Sequence, residues 1–194
     1  MSSAARPPIR LPSWMAQRAR EVLEGRKAPV EPRDAATVML LRPPPGGAGP
    51  DAAGLQVYML RRQSSMAFAP GAFVFPGGSV DARDAEIEVG WTGPDAQEWG
   101  RMIDAPADLA RALVCAAVRE TFEECGVLLA GPTADTVVAD TRGEDWEADR
   151  AALLARSVSL AGLLRQRGLV LRSDPLTSLA RWPAGRAAAK NLVS

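Results

Sequence analysis

Arg119-Glu120-Thr121-Phe122-Glu123-Glu124-Cys125-Gly126-Val127 is the stretch that decides the fold, and Phe75-Pro76-Gly77-Gly78 lies upstream of it. Glu120, Glu123 and Glu124 stand three and four residues apart. On a helix of about 3.6 residues per turn they share one face. Three anions so close repel one another unless a cation lies between them. Carboxylate oxygens suit a hard divalent ion such as Mg2+ or Mn2+. The competing reading is a solvated acidic helix face with no ligand, the commoner fate of Glu-x-x-Glu-Glu. Two neighbours favour the first. Arg119 precedes the cluster and can orient it through a bidentate pair. Gly126 follows it where a helix needs a left-handed C-cap.

These residues resemble the Nudix box, G-x5-E-x7-R-E-U-x-E-E-x-G-U with U apolar. Gly78 matches its first glycine, and Arg119, Glu120, Glu123, Glu124, Gly126 and Val127 match its second half. Thr121 stands at an apolar position. Forty residues lie between Gly78 and Arg119, far more than the usual box holds. Counting back from Arg119, the box's first Glu falls at Arg111 and is absent, with Asp108 the nearest acid. A box split in this way is similar to a subgroup that includes the peroxisomal coenzyme A diphosphatases and their bacterial relatives. The run from Met59 to Gly78 is similar to that subgroup as well, and the resemblance covers residues 35–182.

The resemblance implies an α+β fold, a Nudix-like α/β/α sandwich around a mixed sheet, with a long insertion inside the box. It implies one to three Mg2+ or Mn2+ ions on the helix carboxylates. It also implies a substrate in which a nucleoside diphosphate is linked to another group, coenzyme A or an acyl-coenzyme A first among them, attacked at phosphorus by a metal-activated water. Metal ligands would be Glu120, Glu123, Glu124 and the Gly78 carbonyl. Gly77 and Gly78 would face the substrate, and Arg119 would orient the cluster. Arg61 and Arg62 lie on the strand before the loop, and alternation points one of them at phosphate. The general base is left open between Glu123, Glu124 and a downstream glutamate, of which only Glu144 and Glu147 exist.

Composition supports the same chemistry by elimination. The chain of 194 residues contains no histidine, which removes His-dependent nucleophilic catalysis and His-ligated metal sites. Formal net charge is zero, so no nucleic-acid or membrane partner is expected. Cys115 and Cys125, ten residues apart on one helix, are about 15 Å apart and cannot pair. Free thiols fit a cytoplasmic location.

The expected organisation is an arm and short helix over 1–34, a Nudix-like domain over 35–182 with an insertion at 79–107, and an atypical tail at 183–194. The short helix starts at Ser13 and ends at Gly25. Residues 35–41 read as a buried strand in a hairpin with 55–62, and 72–75 as a short strand. Trp91 and Trp99 in the insertion read either as core cover or as a platform for a base. The motif helix spans 108–125. A strand is expected at 133–140, helices at 144–156 and 160–167, and extended segments at 169–172 and 176–182. The resembled family continues into further strands past Arg181-Trp182, and the tail does not match them. The sequence therefore reads as a truncated or frame-shifted copy whose open edge a partner chain, or a second copy in a homodimer, would cover. The runner-up reading follows: a catalytically weak or inactive Nudix domain that binds a nucleotide or a protein.

Overall fold

Val114, Val118 and Phe122 recur at helical spacing and anchor the core. The computed structural model describes residues 13–29, 31–44, 54–65, 70–85 and 90–181. The expected arm before Ser13 and the tail after Arg181 lie outside the described residues, as do parts of the 43–54 and 63–71 loops and positions 86–89 of the insertion. Residues 1–32 and 33–194 form separate units. In the first, helix α1 (Ser13–Leu23) buries no residue and is closed at Gly25, whose N–H donates to the Val22 carbonyl at 3.1 Å.

The second unit is α+β and is built around helix α3 (Ala107–Cys125). Asp108 lies in its first turn, where a carboxylate complements the positive end of the helix dipole. Gly126 ends it at φ 72°, and its N–H donates to the Phe122 carbonyl at 2.9 Å. A side chain is disfavoured there, so glycine is the residue that lets the chain turn away. The helix is covered on more than its apolar face, since Arg119, Thr121 and Glu123 are buried too.

Among its described residues the insertion is largely folded. It forms a 3-10 turn at Ala82–Ala85, a strand β7 (Trp91–Thr92) and helix α2 (Ala96–Ile103). Asp95 and Glu98 form a capping box: the Glu98 N–H donates to Asp95 Oδ1 at 2.8 Å, and the Asp95 N–H to Glu98 Oε2 at 2.9 Å. Trp99 is buried in the core and Trp91 packs against it, which favours core cover over a base platform. Helices α4 (Glu144–Leu154) and α5 (Leu160–Arg167) complete this core with Leu153, Leu160, Leu163 and Leu164. Phe122 meets Trp146 of α4 edge-on at 6.1 Å.

The strands are short and form small sheets. Strand β1 (Ala35–Thr37) pairs antiparallel with β6 (Gly77–Ser79), with Ala36 opposite Gly78. Strand β2 (Leu41–Arg42) pairs with β3 (Gln56–Val57), and β4 (Leu60–Arg61) with β5 (Phe73–Val74). The three-stranded sheet runs β7–β9–β8, with β8 at Ala130–Gly131 and β9 at Val170–Arg172.

Two expectations are corrected. Residues 35–41 form two short segments instead of one buried strand: Val38 between them is buried, but Leu41 is 55% exposed. No strand forms at 133–140. Pro132 lacks a donor, the chain turns over Thr133–Asp135, and the single ladder-like bond runs from the Val138 N–H to the Ala130 carbonyl at 2.9 Å. Of the two segments expected to be extended, 170–172 forms a strand and 176–181 is a connector, begun by the Leu176 N–H donating to the Ser173 carbonyl at 3.1 Å. Among the described residues no helix is long and apolar enough to cross a membrane.

Candidate active site

Pairing of β1 with β6 lays the Gly77–Gly78 backbone against α3. A Cβ built on Gly78 would come within 2.5 Å of Glu120 Cδ, so the bare glycine backbone lets that carboxylate lie directly against the strand. The Gly77 N–H donates to Glu124 Oε2 at 2.9 Å. Two of the three helix carboxylates thus meet the glycine strand directly.

Arg119 organises the remainder. All five of its N–H groups are engaged. Nε and Nη2 hold the two oxygens of Asp84 at 2.9 and 3.0 Å. Nη2 also donates to the Ser79 carbonyl at 3.0 Å. Nη1 donates to Glu120 Oε1 at 2.8 Å and to Glu123 Oε2 at 3.1 Å. Burial opposes the Arg119 charge, but Asp84, Glu120 and Glu123 outweigh it and raise its pKa above the usual value.

Asp84 is the residue that sequence reasoning missed. Counting back from Arg119 led to Arg111, whose guanidinium instead lies over the Trp91 ring at 5.4 Å, and Asp108 sits in the first turn of α3. Counting forward from Gly78, the G-x5-acid spacing ends on Asp84. Asp84 thus stands at the spacing of the box's first acid, inside the segment read as the insertion. The forward count was the available signal.

Four carboxylates, Asp84, Glu120, Glu123 and Glu124, surround one guanidinium. Asp84, Glu120 and Glu123 share that guanidinium and Glu124 does not touch it; with all four ionised, the five groups carry a net charge of −3. Burial pushes the Glu123 carboxyl above its ordinary range; Glu120 and Asp84 add to this, while Arg119 opposes it. Burial also raises Glu124, helped by Glu120 and opposed by the Gly77 N–H and the Arg62 charge. Arg62 is half-buried, whereas Arg61 is exposed in β4 opposite Phe73. Of the two strand arginines, Arg62 is therefore the one whose charge reaches Glu124. Glu147 is paired with Arg150 at 2.6 Å, and Arg150 Nη1 donates to the Glu123 carbonyl at 2.7 Å. That contact ties the downstream glutamate to the end of α3. Glu144 heads α4.

The donor set is all oxygen, as a hard divalent cation requires, and it carries excess negative charge. The residues fit such an ion chemically. Among the described residues no three acidic or thiol side chains already converge as ligands. Arg119 draws Glu120 and Glu123 toward itself, so an incoming cation has to win Glu120 from it. The free thiols are inert by burial: Cys115 is pushed up to about 12 and Cys125 is raised. A surface concavity lined by Met102, Leu176, Leu179 and Arg181 shares no residue with the carboxylate cluster.

A glycine strand on an Arg-Glu-x-x-Glu-Glu helix, with an acid clamped to the arginine, defines a Nudix-type α+β domain. A crystal structure of a NUDIX hydrolase from Alicyclobacillus acidocaldarius matches the chain with a TM-score of 0.56 and 31% identity, over 75% of this chain and 59% of that one. The chain is related to the Nudix hydrolase superfamily, with coenzyme A diphosphatases among its relatives. It is 32% identical over 124 residues to the acyl-coenzyme A diphosphatase NUDT19 of Gallus gallus, covering 52% of this chain and 33% of that protein. It is 34% identical over 117 residues to the Homo sapiens protein of the same name, covering 47% and 29% respectively. The chain therefore spans about a third of the length of these curated relatives. No family model matches it.

Proposed function

We propose that the chain hydrolyses a nucleoside diphosphate linked to another moiety, with Mg2+ or Mn2+ held by the α3 carboxylates, and that coenzyme A or an acyl-coenzyme A is the substrate class. The observation that carries this reading is the contact of Gly77–Gly78 with Glu120 and Glu124, beside an arginine whose donors are all engaged. The NUDT19 relatives supply the coenzyme A direction.

Glu120, Glu124 and the Gly78 carbonyl are the residues that would hold the ion, with Glu123 as ligand or as partner to a bound water. A divalent ion bound there would neutralise diphosphate charge and acidify water. The chain's own groups do the rest. Gly78 leaves room for a phosphate to approach the helix. Arg62 lies where a guanidinium can grip phosphate oxygens through a bidentate pair. Arg119, clamped by Asp84, keeps Glu120 and Glu123 aimed at one place. Glu123 and Glu124 carry raised proton affinities, which suits a group that must take a proton from water near neutral pH.

The test is a panel of coenzyme A, acetyl-coenzyme A, NADH and ADP-ribose in Mn2+, read by loss of the diphosphate and appearance of two phosphomonoesters. Coenzyme A or its acetyl ester should be consumed fastest. Preferential cleavage of NADH or ADP-ribose would replace the substrate class while keeping the chemistry, and no cleavage of any would remove the reading.

A further inference from the structure

The turn at Ala82–Ala85 carries Asp84 into the site, and Arg83 ties that turn to the α4–α5 corner. Arg83 Nη1 donates to the Arg156 carbonyl at 2.8 Å and to the Val158 carbonyl at 3.2 Å. Its Nε and Nη2 grip the two oxygens of Asp81, each at 3.0 Å. The Asp81 N–H in turn donates to Asp84 Oδ2 at 2.8 Å, and the Asp84 N–H to the Asp81 carbonyl at 2.9 Å. A continuous set of bonds therefore runs from the end of α4, through Arg83, Asp81 and Asp84, to Arg119 and the carboxylates of α3.

The far end of this path has a second unusual feature. Arg156 has φ 58°, a left-handed conformation that glycine usually supplies at a helix C-terminus. In that conformation its carbonyl accepts from Arg83 and its guanidinium lies 3.8 Å from Asp81. A surface ion pair alone needs neither the two carbonyl bonds nor the strained backbone.

We propose that Arg83 is a positioning residue for the cation site: it latches the Asp84 turn to the α4–α5 corner, so that Asp84 holds Arg119 and leaves Glu120 and Glu123 available to a divalent ion. The inference rests on the proposed metal-dependent reading. Arg119 divides its donors between Asp84 on one side and Glu120 and Glu123 on the other. If the turn drifts, the guanidinium keeps the Ser79 carbonyl and, as charged partners, only the carboxylates that the cation needs, and the cation competes against a tighter pair. Groups that support ligands through such contacts typically change metal affinity by about 10–100-fold when lost.

The experiment is Mn2+ titration of the full chain, followed by the electron-spin resonance signal of free Mn2+, for wild type, Arg83→Met, Arg83→Lys and Glu124→Gln. Arg83→Met keeps the stem and loses every donor. Its half-saturation should rise about tenfold, with a circular dichroism spectrum matching wild type. Arg83→Lys, which reaches a carbonyl but cannot also grip Asp81 through a planar fork, should fall between the two. A purely structural tie would lower the melting temperature and leave Mn2+ affinity unchanged, and equal half-saturation in Arg83→Met and wild type would overturn the proposal. Should Arg83→Met fail to fold, unchanged affinity in Arg83→Lys overturns it instead. Wild type that takes up no more Mn2+ than Glu124→Gln would refute the cation site itself, and the inference with it.

Discussion

Asp84 and Arg119 form the most enclosed ion pair of the site, with side chains 2% and 10% exposed. Removing one partner of such a pair leaves a buried charge without compensation, which costs about 3–5 kcal/mol. Asp84→Asn should therefore destabilise the metal-free protein by about 3 kcal/mol in urea denaturation, and a loss below about 1 kcal/mol, typical of an exposed pair, would contradict its clamping role. Glu123 works in the opposite direction. Its folded pKa lies above the ordinary 4.5 because burial disfavours the charged form. The stability it contributes is fully present below that ordinary value and is lost as pH rises through the raised one. Arg119, Glu120 and Asp84 face it. Glu123→Gln mimics the protonated form and keeps an acceptor for Arg119. Without metal, its stability relative to wild type should improve as pH rises from about 4.5 toward neutrality; a difference that stays constant with pH would refute this. At this scale the Glu triad, Arg119 and Gly78 were legible because their spacing is local or set by a motif. Asp84 was not, because the insertion falsified a count made backward from Arg119.

Helix α3 was legible as an element because its apolar period and Gly126 agree on where it lies and ends. Helix α5 was equally legible, since Ser159 caps it by accepting from the Gly162 N–H at 3.1 Å and Gly168 closes it. Its Leu163 is fully buried against the α3 core. Leu163→Ala should cost about 2–5 kcal/mol, measurable by denaturant midpoint at unchanged slope. A cost under about 1 kcal/mol would mean that α5 is not locked into this core. The capping box of α2 was written in Asp95-x-x-Glu98, although in its Gly- and Pro-rich surroundings the sequence reads only as short helical turns near 96–101. The strands were harder. Each is two or three residues long, and which one pairs with which depends on the chain's path rather than on alternation within the strand. The expected strand at 133–140 failed for a local reason: Pro132 and the turn after it outweigh the apolar run.

Over the whole molecule, the insertion turns out to be part of the domain. It supplies Asp84 to the site, β7 to the three-stranded sheet and Trp99 to the core. The split in the box is thereby accommodated without separating its two halves in space, because β6 and the turn after it return to α3. Leu41, Val57 and Phe73 are exposed on the paired short strands, as is Tyr58 just after one of them. The central claim, that the α3 carboxylates hold the ion on which diphosphate hydrolysis depends, is tested most directly by the initial rate of acetyl-coenzyme A hydrolysis against Mn2+ concentration, in wild type and in Glu124→Gln. The account predicts a saturable, Mn2+-dependent rate in wild type that falls at least about 100-fold in the variant. An equal rate in the variant, or a wild-type rate indifferent to Mn2+, would contradict it.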